Sequence, residues 1–546
     1  MINDNKPGLA QEPVANLIEY TVKGIYDIPE FQREFVWTKR QVADLLDSLI
    51  RGYPIGSILL WDLTDYVHGK HVYDGKPKQW VVDGQQRLVA LSILTRKKPY
   101  WFDINVWNEF VKKYKIKVNV LTLEVALESS AIKYNPEWIY PHQAFNVEET
   151  DRLAQDIANK MHRPELFPRI YDNIRKIQAV LHRDVPVIKV KTSLENIATI
   201  FERINSAGTR IKQADITLAY IAAFNKGWVR DQFIKYIDDL DDEGFYFDPT
   251  LLIRALTAIG EHKAILKDVT EQFLRNANGC LDSAFVELKH SLNFLIHKFR
   301  EVGILSSKMI YAKNTIIPFI YLHNRFKDSF EFNKAFLFFL LALWQGRYSG
   351  ASETTLQEDI NIIKKAEKFT DAIDALIDKL GLVSLQINKE DIKNALHYQG
   401  DGRFFKLLLY LVVYKLGAKD WFTKVRLGYT KQNEINKDFN IEEHHFFPRS
   451  LLKNVGFDKD KRELLPNITF INPGTNKRLR DAPHVYVDKY KIDMEDLKKQ
   501  LIPLDRDLWK LDKYEIFIEK RAESIATNIN NYMRKLYPEL FEQKEV

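Results

Sequence analysis

The chain has 546 residues, of which 45% are hydrophobic and 28% charged, with a net charge of +6. That length exceeds a single compact core, and that balance excludes an intrinsically disordered chain. One cysteine, Cys280, excludes an internal disulfide framework and a cysteine-based zinc site and fits a reducing cytoplasm, the expected location.

The opening stretch has no basic n-region and no apolar h-region, so no signal peptide is expected. Residues 16–225 alternate short strands with helices. Thr38 as N-cap, Val42, Leu45, Leu46 and Leu49 at helical spacing, and Gly52 just past the end predict a helix. Residues 57–61 (SILLW) and 79–82 (QWVV) predict buried strands. Asp83 and Gly84 signal a turn, and Leu88, Leu91 and Leu94 give one face of the helix that follows. Later, residues 185–190 (VPVIKV) predict a strand. Ser193 is a cap for a helix striped by Leu194, Ile197, Phe201 and Ile204.

The segment 83–87 (DGQQR) sits between a strand and a helix. Amides at a helix N-terminus favour anions, and Gly84 lets a ligand approach the backbone. Gln85, Gln86 and Arg87 add donors for phosphate or base edges, while Asp83 either caps the helix or holds a metal ion. Taken alone, this is a generic anion-site signal.

Residues 226–385 read as almost all helical. Phe285, Leu288, Leu292, Leu295 and Phe299 form one apolar face, and 349–355 (SGASETT) reads as a polar loop. The most apolar run, 335–344, would rise only ~15 Å as a helix, about half a bilayer core. It predicts a buried core helix, and no membrane association is expected. There is no repeat of fixed period and no low-complexity tract.

In the last segment, 407–414 (LLLYLVVY) fits a helix or a strand. The chain closes with an amphipathic helix carrying Ile518, Ala522, Ile525, Ile529 and Met533, ended by Pro538. Residues 401–480 hold 16 Lys and Arg against 9 Asp and Glu, a local basic excess expected of a polyanion-binding region. Scattered solvated lysines would give the same count.

Within that basic window lie IEEHHFFPRS and LLPNITFINPGTNKRLRD. Phosphodiester hydrolysis needs an activated water, charge stabilisation on phosphorus and help for the leaving oxygen. One divalent ion supplies the last two, and a histidine outside the metal shell serves as general base. A strand-turn-strand-helix arrangement would place His444 and His445 on opposite faces of one strand. His445 is then the base, His444 and Asn476 hold Mg²⁺ or Mn²⁺, and Asn467 braces the loop that presents His445. Glu442 or Glu443 is either a histidine-orienting partner or a solvated glutamate.

This string resembles the HNH (ββα-metal) nucleases: His445 with Phe446-Phe447-Pro448, Asn467 in LPNITFI, and Asn476 in NKRLRD. The resemblance implies that Arg449, Lys477, Arg478 and Arg480 contact DNA phosphates. The cysteine pairs some HNH nucleases use for zinc are absent, so surrounding helices must prop the small core.

A second resemblance runs through Ile28-Pro29-Glu30-Phe31-Gln32-Arg33 with Trp37, then 52–56 (GYPIG), DGQQR, and 201–209 (FERINSAGT). In this order they resemble the N-terminal domain of the GmrSD-type (BrxU- and SspE-like) modification-dependent restriction endonucleases. That resemblance implies a ParB/sulfiredoxin-like α/β domain linked to NTP binding or hydrolysis, an NTPase activity, and to sensing modified DNA, fused to a C-terminal HNH domain. Asp83, Gly84, Gln85, Gln86, Arg87, Gln32, Arg33, Asn205 and Gly208 would line the nucleotide pocket.

The expected fold class is α+β and predominantly helical. It comprises a ParB-like sensor at 1–225, a helical connector at 226–385, and a helical nuclease domain with a ββα-metal core at 386–546. The expected function is an NTP-regulated, modification-dependent DNA endonuclease in anti-phage defence. Its partners would be double-stranded phage DNA and a nucleotide, and a homodimer would suit double-strand cutting. The rivals are a nuclease toxin without modification specificity and a nucleotide-regulated DNA-binding module with a silent HNH site.

Overall fold

The structure, a computed structural model, describes residues 8–28, 35–62, 79–191, 213–225, 227–350, 353–382, 384–397, 401–431 and 434–544. Two compact units divide the chain, Met1–Ala222 and Ala223–Val546.

The first unit contains β1 (Gly8–Pro13), β2 (Tyr26–Asp27), β3 (Ile58–Asp62), β4 (Gln79–Asp83), β5 (Ile116–Asn119), β6 (Val125–Leu127), β7 (Trp138–Ile139) and β8 (Asp184–Val190). The main sheet has the order β1-β8-β3-β4-β2. β3 runs parallel to β8 and β2 parallel to β4, while the other pairs are antiparallel. Parallel neighbours require crossovers, and helices supply the apolar cover. These are α1 (Val14–Lys23), α2 (Lys39–Arg51) and α3 (Gln85–Thr95). Leu17, Leu46, Leu60, Val81, Leu91 and Val187 meet in their shared core.

The end signals of α2 hold. Thr38 and Gln41 form a reciprocal capping box, and Gly52 closes the helix in the left-handed region at φ 78°. The one-faced reading of α3 needs correction, because every residue from Leu88 to Thr95 is buried. The helix packs against α1 and α2 as well as lying in the sheet core, which leaves no solvent face. β5, β6 and β7 form a small antiparallel sheet in the order β6-β5-β7 that the sequence reading did not separate. It shares a second core with the helices Thr150–Lys160 and Phe167–Gln178. The helix expected after Ser193 lies outside the described residues.

The second unit is mostly helical, so the α+β, predominantly helical class holds for the described chain. α4 (Cys280–Val302) buries Phe285, Leu288, Leu292, Leu295 and Phe299 on one face. α5 (Phe332–Trp344) is buried from Ala335 to Leu343, and no described helix is long and apolar enough to cross a membrane. Residues 353–355, read as loop, are instead the first turn of the helix Glu353–Lys365. α6 (Lys389–Asn394) precedes α7 (Asp401–Lys415), which settles 407–414 as helix. The segments read as 226–385 and 386–546 both fall within this unit.

Two strand pairs follow: β9 (Tyr429–Lys431) with β10 (Glu434–Ile435), and β11 (Glu443–His445) with β12 (Ile468–Phe470). The connection from β11 to β12 is not the expected turn. It holds two short helices, Arg449–Asn454 and Lys459–Arg462. A one-turn helix, α8 (Pro473–Asn476), comes next. The long α9 (Tyr514–Leu536) packs on α5, α6, α7 and the 3₁₀ turn Leu465–Asn467. Pro538 ends α9 and opens the helix Pro538–Lys544.

Candidate active site

β11 and β12 pair antiparallel, with Glu443 opposite Phe470, His444 opposite Thr469 and His445 opposite Ile468. Alternation along β11 gives the two histidines different surroundings. The His444 side chain is buried beside Trp421 and Tyr486, whereas His445 is half-buried.

Just after β11, every backbone group of Phe446 and Phe447 finds a partner. The Phe446 amide donates to the Asn467 carbonyl at 2.8 Å, and the Tyr486 hydroxyl donates to the Phe446 carbonyl at 2.7 Å. Asn467 Oδ1 accepts from the Phe447 amide at 2.8 Å, and Asn467 Nδ2 donates to the Phe447 carbonyl at 3.0 Å. An asparagine amide matches one peptide unit in both directions, so Asn467 acts as one rung of sheet where the ladder ends. The expectation that Asn467 braces the histidine loop has this geometry.

His444 Nδ1 lies 2.8 Å from Asn476 Oδ1. Asn476 Nδ2 donates to the Glu443 carbonyl at 3.3 Å, which holds its Oδ1 toward the histidine. Burial pushes the His444 imidazole down to about 4, so the ring is neutral near pH 7, the form a metal ligand requires. Its Nε2 is buried without a partner. A neutral imidazole and an amide oxygen set side by side suit a divalent cation that takes its remaining ligands from water or phosphate. Among the described residues, no group of three or more His, Cys, Asp and Glu could hold a metal ion, so a cation here would rest on this His–Asn pair.

The turn carrying Asn476 is fixed by Asp420, a residue outside both motifs. Its buried carboxylate accepts from the Asn472 amide at 2.9 Å and the Thr475 hydroxyl at 2.9 Å. It also accepts from the Phe422 amide at 3.1 Å, and from the Thr423 amide and hydroxyl at 2.8 and 2.9 Å.

His445 Nε2 lies 3.1 Å from Glu463 Oε2. A carboxylate only accepts, so the proton sits on Nε2 and Nδ1 is the nitrogen able to take another. Burial holds the His445 pKa below its ordinary value, partly offset by Glu463. Against the upward push of burial, Arg449 and His445 keep the Glu463 carboxyl below its usual range. Arg449 Nη1 donates to Glu463 Oε1 at 2.8 Å. Glu463 is therefore the histidine-orienting carboxylate. Glu443 instead pairs with Lys406 at 2.7 Å, and Glu442 is exposed. Arg449, Lys477, Arg478 and Arg480 are all exposed around this site. Arg478 lies over the Phe422 ring, and Arg480 Nε donates to the Lys477 carbonyl.

In the first unit, Arg87 donates to the Ser57 carbonyl at 2.7 Å, the Ile55 carbonyl at 3.2 Å and Asp83 Oδ2 at 2.7 Å. Asp83 therefore pairs with Arg87 and does not cap α3, whose N-cap is Gly84 with no side-chain cap. Gln86 Oε1 accepts from the Val36 amide at 2.9 Å. Gly56 has φ +84°, and a Cβ there would lie 2.6 Å from Arg87 Nη1, so the glycine makes room for the guanidinium. Gln32, Arg33, Asn205 and Gly208 lie outside the described residues. The structure thus describes the DGQQR half of the expected pocket.

The molecule joins an α/β unit with a strand-to-helix polar cluster to a helical unit carrying a His–Asn and His–Glu site. Residues 14–222 match the family model of the GmrSD restriction endonuclease, N-terminal domain. Over 527 residues the chain is 22% identical to the uncharacterized protein MJ0686 of Methanocaldococcus jannaschii, covering 86% of this chain and 85% of that protein.

Proposed function

We propose that the chain is a metal-dependent, HNH-type DNA endonuclease of the GmrSD restriction class, directed at modified phage DNA and regulated by a nucleotide. The observation that carries this reading is the convergence of His444 with Asn476, His445 with Glu463, and Asn467 with the Phe447 backbone. The GmrSD match over 14–222 supports DNA restriction as the setting.

In this reading His445 Nδ1 takes the proton of the water that attacks phosphorus. Glu463 fixes the ring and stabilises the imidazolium as it forms. Arg449, Lys477, Arg478 and Arg480 hold phosphates, which sets position but not sequence. His444 and Asn476 would hold Mg²⁺ or Mn²⁺, which when bound neutralises charge on the phosphate and the departing oxygen. Asp83, Gly84, Gln85, Gln86 and Arg87, with Gln32, Arg33, Asn205 and Gly208, would form the nucleotide pocket of the sensor unit.

The test is cleavage of matched modified and unmodified phage DNA, with and without NTPs, in Mg²⁺ or Mn²⁺. The reading expects cutting confined to modified DNA and altered by nucleotide. Equal cutting of both DNAs would favour a nuclease without modification specificity.

A further inference from the structure

Arg521 on α9 is fully buried. Its guanidinium donates to the carbonyls of Pro466, of Ile468 at 2.7 Å and of Gln500 at 3.0 Å. No ion pair among the described residues includes it, Tyr486 is the one titratable group that acts on it among them, and its Nε is buried without a partner. A buried charge without a counter-charge is expensive, and a neutral side chain would fill the same space at less cost. Its value therefore lies in what the planar fork of donors holds in place.

What it holds is the Asn467 turn, from both sides. Pro466 and Ile468 flank Asn467, the residue whose amide clamps Phe447. The third carbonyl belongs to Gln500, whose side chain pairs with both the amide and the carbonyl of Phe470 in β12, at 3.3 and 2.7 Å. The same face of α9 also grips the other strand. Phe517, one turn before Arg521, stacks on Phe446 with ring centroids 5.2 Å apart and packs edge-on against Phe447, which also meets Tyr514. One helix face thus fixes both halves of the strand pair, by rings on the His445 side and by a guanidinium on the Asn467 side. Burial pulls the Arg521 pKa down to about 9, which still leaves it charged at neutral pH.

We propose that Arg521 is a positioning residue of the nuclease site, acting through Asn467 to set the Phe446–Phe447 backbone and with it the reach of His445. This rests on the nuclease reading above. A shorter ammonium at 521 keeps the charge but cannot span three carbonyls in one plane.

The test uses the full chain with Arg521→Lys and Arg521→Met, and Asp359→Asn as a control for general destabilisation. Asp359 is a buried carboxylate paired with Arg347 and Tyr348 in the helix Glu353–Lys365. Hydrogen exchange by mass spectrometry and steady-state DNA cleavage are measured on each. Both Arg521 variants should lose protection in peptides spanning 445–449 and 465–469. Their kcat should fall at least ten-fold with KM for DNA within two-fold, and Asp359→Asn should show neither change. Retained protection in those peptides, or an unchanged kcat in both Arg521 variants, would overturn the proposal. If the wild type cuts no DNA yet the variants lose protection there, the anchoring is supported and the nuclease reading falls.

Discussion

Glu463 orients His445 across a 3.1 Å hydrogen bond, although it comes from the helical connection between β11 and β12 and not from the histidine motif. The same carboxylate takes a second bond from Arg449 at 2.8 Å, so the proposed base and one phosphate-contact candidate share a single anchor. Glu463→Gln can still accept from one of these partners, but it loses the charge that stabilises an imidazolium. A positioned general base is worth about 10²–10⁴-fold, and loss of its orienting charge should forfeit on the order of 10–100-fold of that. The expected result is a kcat for DNA cleavage lower by about that factor, with the thermal midpoint little changed, measured by single-turnover cleavage and calorimetry.

Asp420 holds the turn bearing Asn476 through two hydrogen bonds, and is itself fixed in a segment some fifty residues upstream through three more. Asp420→Asn replaces one acceptor oxygen by a donor facing other donors. Unsatisfied buried groups of this kind cost about 1–3 kcal/mol each. The freed turn should weaken Mn²⁺ binding by roughly 10–100-fold in titration calorimetry. Equal Mn²⁺ affinity in the variant would show that Asn476 does not depend on this anchor.

Gly84 stands at φ +103°, and a Cβ there would lie 2.4 Å from Ile58 Cδ1 in β3. Gly84→Ala meets both an unfavourable backbone and a filled core, together worth about 1–3 kcal/mol. The expected outcome is a lower unfolding midpoint of the first unit in urea. The predicted loss applies whether or not a nucleotide binds, which separates packing from ligand contact.

His323 in the second unit supplies a pH dependence. Its ring stacks on Phe294 with centroids 4.2 Å apart, its Nδ1 is buried without a partner, and burial pushes it down to about 4. His290 and Lys327 add to that shift and Glu287 opposes it. The unfolded chain, with a histidine near 6.5, binds more protons than the native one between pH 6.5 and 4. Stability is therefore fully present above pH 6.5 and falls as pH drops toward 4, by at most about 3 kcal/mol from this group. His323→Phe should flatten that part of the curve in urea unfolding measured at pH 7, 5.5 and 4.5.

The legible parts of this molecule are those whose determinants are close in sequence. Thr38, Gln41 and Gly52 bound α2 because capping is local. His444, His445, Asn467 and Asn476 could be grouped because their strands and turn lie within one short stretch of chain, and the structure brings them together. Glu463 was hidden in a charged run, DKDKRE, that reads as a solvated helix surface. Asp420 was hidden because a buried carboxylate carries no periodic signal. Arg521 left a trace: it sits on the apolar stripe of α9, four residues after Phe517 and four before Ile525, where a charged residue needs a buried partner. The all-round burial of α3 escaped because periodicity reports one face, whereas neighbouring helices cover the others.

The most direct measurement compares cleavage of modified DNA in Mg²⁺ by wild type, His445→Ala and Asn476→Ala, each checked for native circular dichroism. The wild type should cut, and both folded variants should have lost cutting. A His445→Ala protein that cuts as fast as the wild type would contradict this reading of the site.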